Sequence, residues 1–190
     1  ICTENGLRIE IWAAESPVTL ICLFSVLTIQ AQLKEKGFFI EASAGYGQYK
    51  WDASTDRFAM IAPSIGYKFN PKWTAGIKMQ IETASPNFLY LTGYAQYHYW
   101  CKKRLGLFGE LQATYASSTN LTPSNEHGEV GLTLGGTFAL TDRLGLILHY
   151  GYIGYSGDHY GRDQGACWNG GDFIVDVDWR RLLLGVQFIF

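Results

Sequence analysis

The stretch RLLLGVQFIF, Arg181–Phe190, ends the chain on a regular alternation of large apolar side chains. One set of alternate positions comprises Leu182, Leu184, Val186, Phe188 and Phe190. The other set comprises Leu183, Gly185, Gln187 and Ile189. Side chains two positions apart share one face of a β-strand. The stretch therefore predicts a strand whose apolar face needs an apolar environment.

The composition is poor in charge for a chain that would face water. Charged residues make up 17% of the 190 residues, aromatic residues 15%, and glycine occurs 22 times. In soluble domains, about a quarter of all residues are charged. The formal net charge of −2 lacks the basic footprint that nucleic-acid binding requires. We therefore expect a single domain with no nucleic-acid partner.

The first 31 residues resemble a secretion signal. An apolar stretch from Val18 to Ile29, too short to span a bilayer, precedes small and polar residues around Ala31. Acidic residues outnumber the basic Arg8 upstream of this stretch, so residues 1–16 are interpreted as a fragment or a mis-called start. We expect cleavage near Ala31, with residues 32–190 as the mature domain. A buried N-terminal strand or helix is the alternative.

From Lys36 onward the chain repeats runs of about ten alternating residues, each followed by a turn. The eight runs start near Phe38, Ile61, Trp73, Leu89, Leu105, Val130, Leu144 and Leu182. Pro63, inside the second run, lacks a backbone N–H and predicts a bulge. Short basic turns at 70–72, 101–104 and 141–143 contrast with long polar, partly acidic connections at 117–127 and 156–172. This pattern predicts eight antiparallel strands.

The residues between the large apolar positions show which face of each strand points outward. They include Gly45, Gly47, Gly66, Gly76, Gly106, Gly131, Gly135, Gly145, Gly151, Ser43, Ser64, Thr74, Thr114, Thr133 and Thr137. Such small side chains fit the interior of a narrow barrel. Aromatic side chains collect near the turns (Tyr67, Phe69, Trp73, Tyr97, Tyr99, Phe138, Phe188) and near the loops (Tyr46, Tyr115, Tyr150, Tyr152). Two aromatic girdles and the need to satisfy every backbone group in lipid predict a closed transmembrane β-barrel.

These features resemble the small eight-stranded outer-membrane β-barrel family of the OmpA and OmpX type. The resemblance covers residues 37–190 and rests on the strand number, the alternation of turn lengths and the closing stretch LLLGVQFIF. It implies that Phe188 and Phe190 form a signal that the barrel-assembly machinery recognises during insertion. It also implies a lumen filled by side chains.

The inward-facing parity carries charged residues on several strands. The predicted interior polar network comprises Glu41, Lys68, Lys78, Glu82, Glu110 and Arg181, together with Gln80, Gln112 and His98. Because a buried ion is costly unless it is paired, opposite charges on these strands predict a salt-bridged core, with Lys78 and Glu110 as members. A gated path for protons or ions is the alternative.

Candidate catalytic and metal-binding residues are few. His149 resembles the histidine of the lipid A deacylases, but Gly151 and Tyr152 stand where that family has serine and asparagine, so a structural hydrogen bond is favoured. The acidic segment with Asp158, His159 and Asp163 lacks the spacing of a calcium or zinc site. Cys101 and Cys167 are expected to lie too far apart to pair.

Together, these patterns predict an all-β, eight-stranded antiparallel up-and-down barrel in the outer membrane of a Gram-negative bacterium. We expect a monomer with a structural role or an interaction role exerted through its loops, and no catalytic, cofactor or metal site. Its expected partners are outer-membrane lipid, lipopolysaccharide and the assembly machinery. A lipid A modifying enzyme and a narrow porin-like channel are the alternatives.

Overall fold

The computed structural model describes residues 33–51, 54–83, 88–118, 126–157, 166–170 and 172–190. The expected signal region, residues 1–31, and the acidic segment 158–165 lie outside these residues. The strands are β1 (Gly37–Trp51), β2 (Ser54–Lys68), β3 (Trp73–Glu82), β4 (Phe88–Lys102), β5 (Leu105–Ser118), β6 (Glu126–Ala139), β7 (Leu144–Ser156), β8 (Ala166–Gly170), β9 (Phe173–Asp176) and β10 (Leu183–Ile189). A 3₁₀ helix, Trp179–Arg181, precedes β10. None of the described residues forms a helix long and apolar enough to cross a membrane.

The last strand closes the sheet into a barrel. β10 pairs antiparallel with β1, where Ile189 lies opposite Phe39, and with β7, where Leu183 lies opposite His149. Strands β1 to β7 pair in sequence order, so the wall has eight strands. The predicted eight-stranded antiparallel barrel is confirmed.

The chain after β7 differs from the expected loop at 156–172. β9 pairs with the C-terminal part of β7, where Tyr152 lies opposite Asp176, and β8 pairs with β9. This hairpin continues the wall beyond the end of β10 because β7 is longer than the segment that β10 covers. We call this side of the barrel the loop end, and the side with residues 69–72, 103–104 and 140–143 the turn end.

The outer wall is apolar, as the alternation predicts. In β10, Leu184 and Val186 are exposed while Leu183, Gly185 and Gln187 are buried. Phe38 on β1 is 69% exposed and Leu134 on β6 is 63% exposed. A continuous apolar exterior of this kind does not occur on ordinary soluble monomers.

Aromatic side chains surround the turn end of the barrel. Phe38 and Tyr67 have ring centroids 4.8 Å apart, and Trp73 and Tyr97 have centroids 4.9 Å apart. Tyr46, Tyr115 and Tyr150 are exposed toward the loop end. The two girdles expected from the sequence are therefore present, with one exception.

Tyr152 is the exception, and its assignment to the outer girdle was wrong. The pairing of β6 with β7 shifts register between Leu132 and Leu134, and Gly151 adopts a positive φ of 74°. This bulge adds one residue to β7 and reverses the facing of the side chains beyond it. Tyr152 is consequently buried in the lumen, with 2% of its surface exposed.

Pro63 does not produce the predicted bulge. The pairing of β2 with β3 has the same register on both sides of it, from Ile61 opposite Ile81 to Ser64 opposite Lys78. β1 likewise pairs through Pro63 without a shift. The strand therefore tolerates the missing N–H without an inserted residue.

Gly135 provides a test of lumen packing. A Cβ at this position would overlap the ring of Phe108, which has no solvent exposure, whereas a Cβ at the outward-facing Gly93 would meet nothing within 4 Å. We expect Gly135→Ala to lower the free energy of unfolding by about 1 to 3 kcal/mol through overpacking. Gly93→Ala should be neutral or slightly stabilising, because alanine costs less backbone entropy in a strand. Urea unfolding of refolded protein in detergent measures both; equal effects would contradict this account of the lumen.

Candidate functional site

The lumen contains a central network of charged side chains from facing strands. Lys78 on β3 donates to Glu110 Oε1 on β5 at 3.0 Å, and both side chains are buried. Gln96 on β4 donates to Glu110 Oε2 at 2.8 Å. The strand parity that points Lys78 and Glu110 inward thus brings them into direct contact.

His149 on β7 joins this network between two carboxylates. Its Nε2 lies 3.1 Å from Glu41 Oε1, and its Nδ1 lies 3.4 Å from Glu110 Oε2. Ser43 donates to Glu41 Oε1 at 2.8 Å. Nε2 is hydrogen-bonded to Glu41, whereas Nδ1 faces Glu110 within ion-pair distance but makes no hydrogen bond. His149 is therefore placed as a structural member of the core, away from the outer wall.

Aromatic side chains fill the lumen on the turn side of this network. The ring of Phe108 lies 5.4 Å from His149 and 5.2 Å from His98. Tyr94 lies under Lys78, whose Nζ is 5.0 Å from the ring centroid, and packs with the buried Phe39. We call Phe39, Tyr94 and Phe108 the aromatic septum.

Two cavities lie in the lumen of the described barrel. The one toward the loop end, about 70 Å³, is lined by Lys78, Glu110, His149 and Arg181 among others. The one toward the turn end, about 110 Å³, is lined by Phe39, Lys68 and His98 among others. Phe108 contacts His149 in the lining of the first cavity and His98 in the lining of the second, so it lies between the two.

A second charged network lies at the loop end. Arg181 binds Glu129 through both terminal nitrogens, at 3.1 and 3.2 Å, and its Nε donates to Asp176 at 3.0 Å. Ser156 donates to Glu129 at 2.8 Å. The guanidinium also stacks on Tyr152, with Cζ 4.6 Å from the ring centroid. The network fixes the 3₁₀ helix across the mouth of the barrel.

The backbone before β10 sets the position of the two arginines. Asp178 caps the 3₁₀ helix by accepting a hydrogen bond from the Arg180 N–H at 2.9 Å. Arg180 also lies 3.5 Å from Asp176. Asp176, the last residue of β9, is therefore a buried partner of arginine.

The charged residues of the predicted interior network are distributed over four places. Lys78, Glu110 and Glu41 meet in the central network, and Arg181 lies in the loop-end network. Glu82 is buried and lines the cavity between these networks. Lys68 lines the turn-end cavity instead.

Several members of both networks were missed from the sequence. Glu129 has inward parity on β6, directly before the outward Val130, and this signal could have identified it. Asp176 carries no such signal because its strand lies in the hairpin that the sequence did not reveal. His149 had the correct parity, but its two carboxylate partners come from distant strands.

Within the described residues, no group of three His, Cys, Asp or Glu side chains is placed to hold a metal ion. Cys101 is a free, exposed thiol at the turn end. Asp158, His159 and Asp163 lie outside the described residues, and so does the side chain of Cys167.

The closed wall, with polar side chains inside and apolar side chains outside, defines the class of protein. It is an all-β, eight-stranded antiparallel up-and-down barrel of the transmembrane type. A solved structure with this fold is the crystal structure of Neisserial surface protein A. Its TM-score to this chain is 0.53 at 16% sequence identity, and the match covers 81% of this chain and 97% of that one. At this identity the likeness shows the fold. No family model and no curated protein matches the sequence.

The Lys78–Glu110 contact predicts strong coupling between the two residues. Glu110→Gln alone should destabilise the barrel by about 3 to 5 kcal/mol, because it leaves the ammonium of Lys78 buried without its counter-charge. Combining it with Lys78→Met should cost less than the sum of the single changes. A double-mutant cycle on urea unfolding of refolded protein measures the coupling.

The exposed pair Asp142 and Arg143, 3.9 Å apart, is the matched control. The cycle of Asp142→Asn and Arg143→Met should give a coupling of about 0 to 1 kcal/mol, since both side chains are solvated. Additive effects at Lys78 and Glu110 would show that the buried contact does not couple these residues.

Proposed function

We propose that this protein is an integral outer-membrane β-barrel of a Gram-negative bacterium with a structural role or an interaction role exerted through its loops. The observation that carries the proposal is the apolar outer wall of a closed eight-stranded barrel, bounded by aromatic side chains at both ends. Such a wall gains free energy in lipid, and closure leaves no open sheet edge across the hydrocarbon region. The likeness of fold to Neisserial surface protein A supports the same membrane.

The asymmetry of the two ends supports an orientation. Tight turns with Lys72, Lys103 and Arg143 close one end, whereas the longer connections and the β8–β9 hairpin lie at the other. In bacterial barrels of this kind short turns face the periplasm and longer loops face the outside. We therefore assign interaction with other molecules to the loop end. The proposed environment is outer-membrane lipid and lipopolysaccharide, and the proposed state is a monomer.

The filled lumen supports a barrier rather than a channel. An eight-stranded barrel is only wide enough for side chains, and here two charged networks and the aromatic septum occupy it. The septum offers no polar group to an ion except the hydroxyl of Tyr94, which is 3.2 Å from the hydroxyl of Ser64. Passing ions would therefore require breaking buried ion pairs and crossing an apolar layer.

The position of His149 supports a role without catalysis. An enzyme that modifies lipid A needs its catalytic base at the outer wall or at the loop end, where the lipid is accessible. His149 has 1% of its surface exposed and lies inside the lumen between Glu41 and Glu110. We propose that it stabilises the barrel and takes no part in lipid chemistry.

Planar lipid bilayers test the barrier. Protein that shows a heat-dependent shift on gels, and is therefore folded, should give no steady current above the lipid background. The reason is that no continuous aqueous path crosses the septum. Steady ion currents from the same folded sample would reject the barrier in favour of a channel.

The end of β10 tests the assembly signal proposed for Phe188 and Phe190. Phe190 is 56% exposed, its ring lies 5.1 Å from that of Phe188, and its N–H donates to Phe38 O at 2.8 Å. Phe190→Ser should lower the stability of refolded barrel by at most about 2 kcal/mol, yet it should greatly reduce the amount in the outer membrane.

Phe38→Ser is the matched control, because Phe38 is a lipid-facing phenylalanine at the same end of the neighbouring strand. It removes a similar apolar area without altering the end of β10. Immunoblots of outer-membrane fractions should show near-normal amounts of this variant. Equal loss in both variants would indicate that lipid contact rather than recognition of β10 limits assembly.

A further inference from the structure

The turn-end cavity has a lining that the proposed barrier does not explain. Its cationic side chains are Lys68, Lys103 and Arg104, and the imidazole of His98 also lines it. Its acidic side chain is Glu35, from the segment before β1. The cavity of about 110 Å³ has room for several waters or for one small polyatomic ion. The excess of positive charge favours an anionic occupant.

The side chain of His98 lines this cavity and has no hydrogen-bond partner among the described residues. Its side chain is on the inward face of β4, and only 8% of the residue is exposed. One side of the ring packs on Phe108, and no described residue accepts from or donates to its nitrogens. In either neutral tautomer the ring presents one N–H donor. Because His98 lines the cavity and no described residue takes this hydrogen bond, the N–H is free to donate to a group bound there.

Gly106 keeps space open beside His98. A Cβ at Gly106 would stand 2.6 Å from Thr137 Oγ1 and 3.7 Å from His98 Nδ1. The hydroxyl and the imidazole therefore face one small space that any larger residue on β5 would fill. We call this space, bounded by His98, Gly106 and Thr137, the polar cradle.

Lys68 supplies the charge of the site. It stands at the end of β2 and is partly buried in the same lining, where Glu35 attracts it electrostatically. Within the described residues, Lys68 has no carboxylate within ion-pair distance. The ammonium is thus desolvated in part and still able to bind an anion directly.

The segment that carries Glu35 lies across the cavity and is held in place. The Lys34 N–H donates to Asp142 O at 2.6 Å, and Lys34 Nζ donates to Phe190 O at 2.9 Å. The chain turns into β1 at Gly37, whose φ of 153° favours glycine. This segment, residues 33–36, forms one wall of the cavity and places one carboxylate near the cationic side chains.

We propose that the turn-end cavity is a binding site for an oxyanion of the phosphate class, held by Lys68, His98 and the hydroxyl of Thr137. Phosphate oxygens accept hydrogen bonds from all three groups, and the charge of Lys68 strengthens the interaction. The same chemistry is presented by inorganic phosphate and by the phosphate of a lipid headgroup at the turn end. Glu35 competes with the anion for the positive charge.

Titration of refolded protein in a zwitterion-free, nonionic detergent tests the site. Inorganic phosphate at constant ionic strength should shift the backbone amide signal of Gly106 and the ring signals of His98 along one saturable curve in NMR spectra. A second titration with a short-chain phosphatidylglycerol distinguishes the sources. Saturation with inorganic phosphate identifies a free anion, and saturation with the lipid alone identifies a headgroup. Failure of both to shift these signals would overturn the proposal.

Matched lysine variants separate a site from general attraction. Lys68→Met should raise the dissociation constant about tenfold, as expected for the loss of one charge-assisted hydrogen bond. Lys72→Met removes the same charge from an exposed residue of the neighbouring turn, outside the cavity lining, and should change the constant less than twofold. Glu35→Gln should tighten binding. Equal weakening by the two lysine variants would reject the site, because it would show only attraction to the basic end.

Gly106→Ala provides a variant that changes no charge. The added methyl group should fill the polar cradle and weaken phosphate binding, while urea unfolding reports whether the barrel remains folded. Loss of binding in a stable variant supports the cradle. Unchanged binding would show that His98 and Thr137 do not contact the anion.

Discussion

The structure depends on the double pairing of β10. This short strand must bond β1 on one side and β7 on the other, because either missing ladder would leave two open edges across an apolar wall. Its register fixes which residues of the neighbouring strands point inward: Glu41 lies opposite Gln187, and His149 lies opposite Leu183. Closure thereby places the charged residues of β1 and β7 in one lumen.

Closure also makes the interior too narrow for water to solvate these charges. In the two charged networks, the side chains pair inside the lumen, and most of the partners come from strands far apart in sequence. His149 can bridge Glu41 and Glu110 only because β1, β5 and β7 face one another across the lumen. At the loop end, Arg181 pairs with the carboxylates of Asp176 and Glu129. On the loop side of the aromatic septum, the lumen therefore holds two networks in which basic side chains contact carboxylates directly.

The local sequence pattern was sufficient to predict the apolar outer wall of the barrel. It was insufficient to predict which charged side chains pair inside the lumen. Strand period and turn length are properties of neighbouring residues, so the facing of Lys78, Glu110 and the residues of β10 could be read from the sequence. The facing of Tyr152 could not, since one bulge at Gly151 reverses it. Lys68 points into the lumen like Lys78. It lies at the turn-end cavity, however, and therefore does not belong to the central network. Pairing across a lumen depends on strand stagger, which no single strand encodes.

The septum gives the two ends of the barrel separate roles. Because Phe108 lies between His98 and His149, a group bound at the turn end has no polar contact with the central network. The loop-end network and the turn-end cavity can therefore differ in charge without disturbing each other: the first neutralises its arginines internally, whereas the second keeps a partly buried lysine without a close carboxylate. A neutral interior needs no ligand to be stable. The partly buried lysine without a close carboxylate is the physical reason to seek a bound anion at the turn end and not in the centre of the barrel.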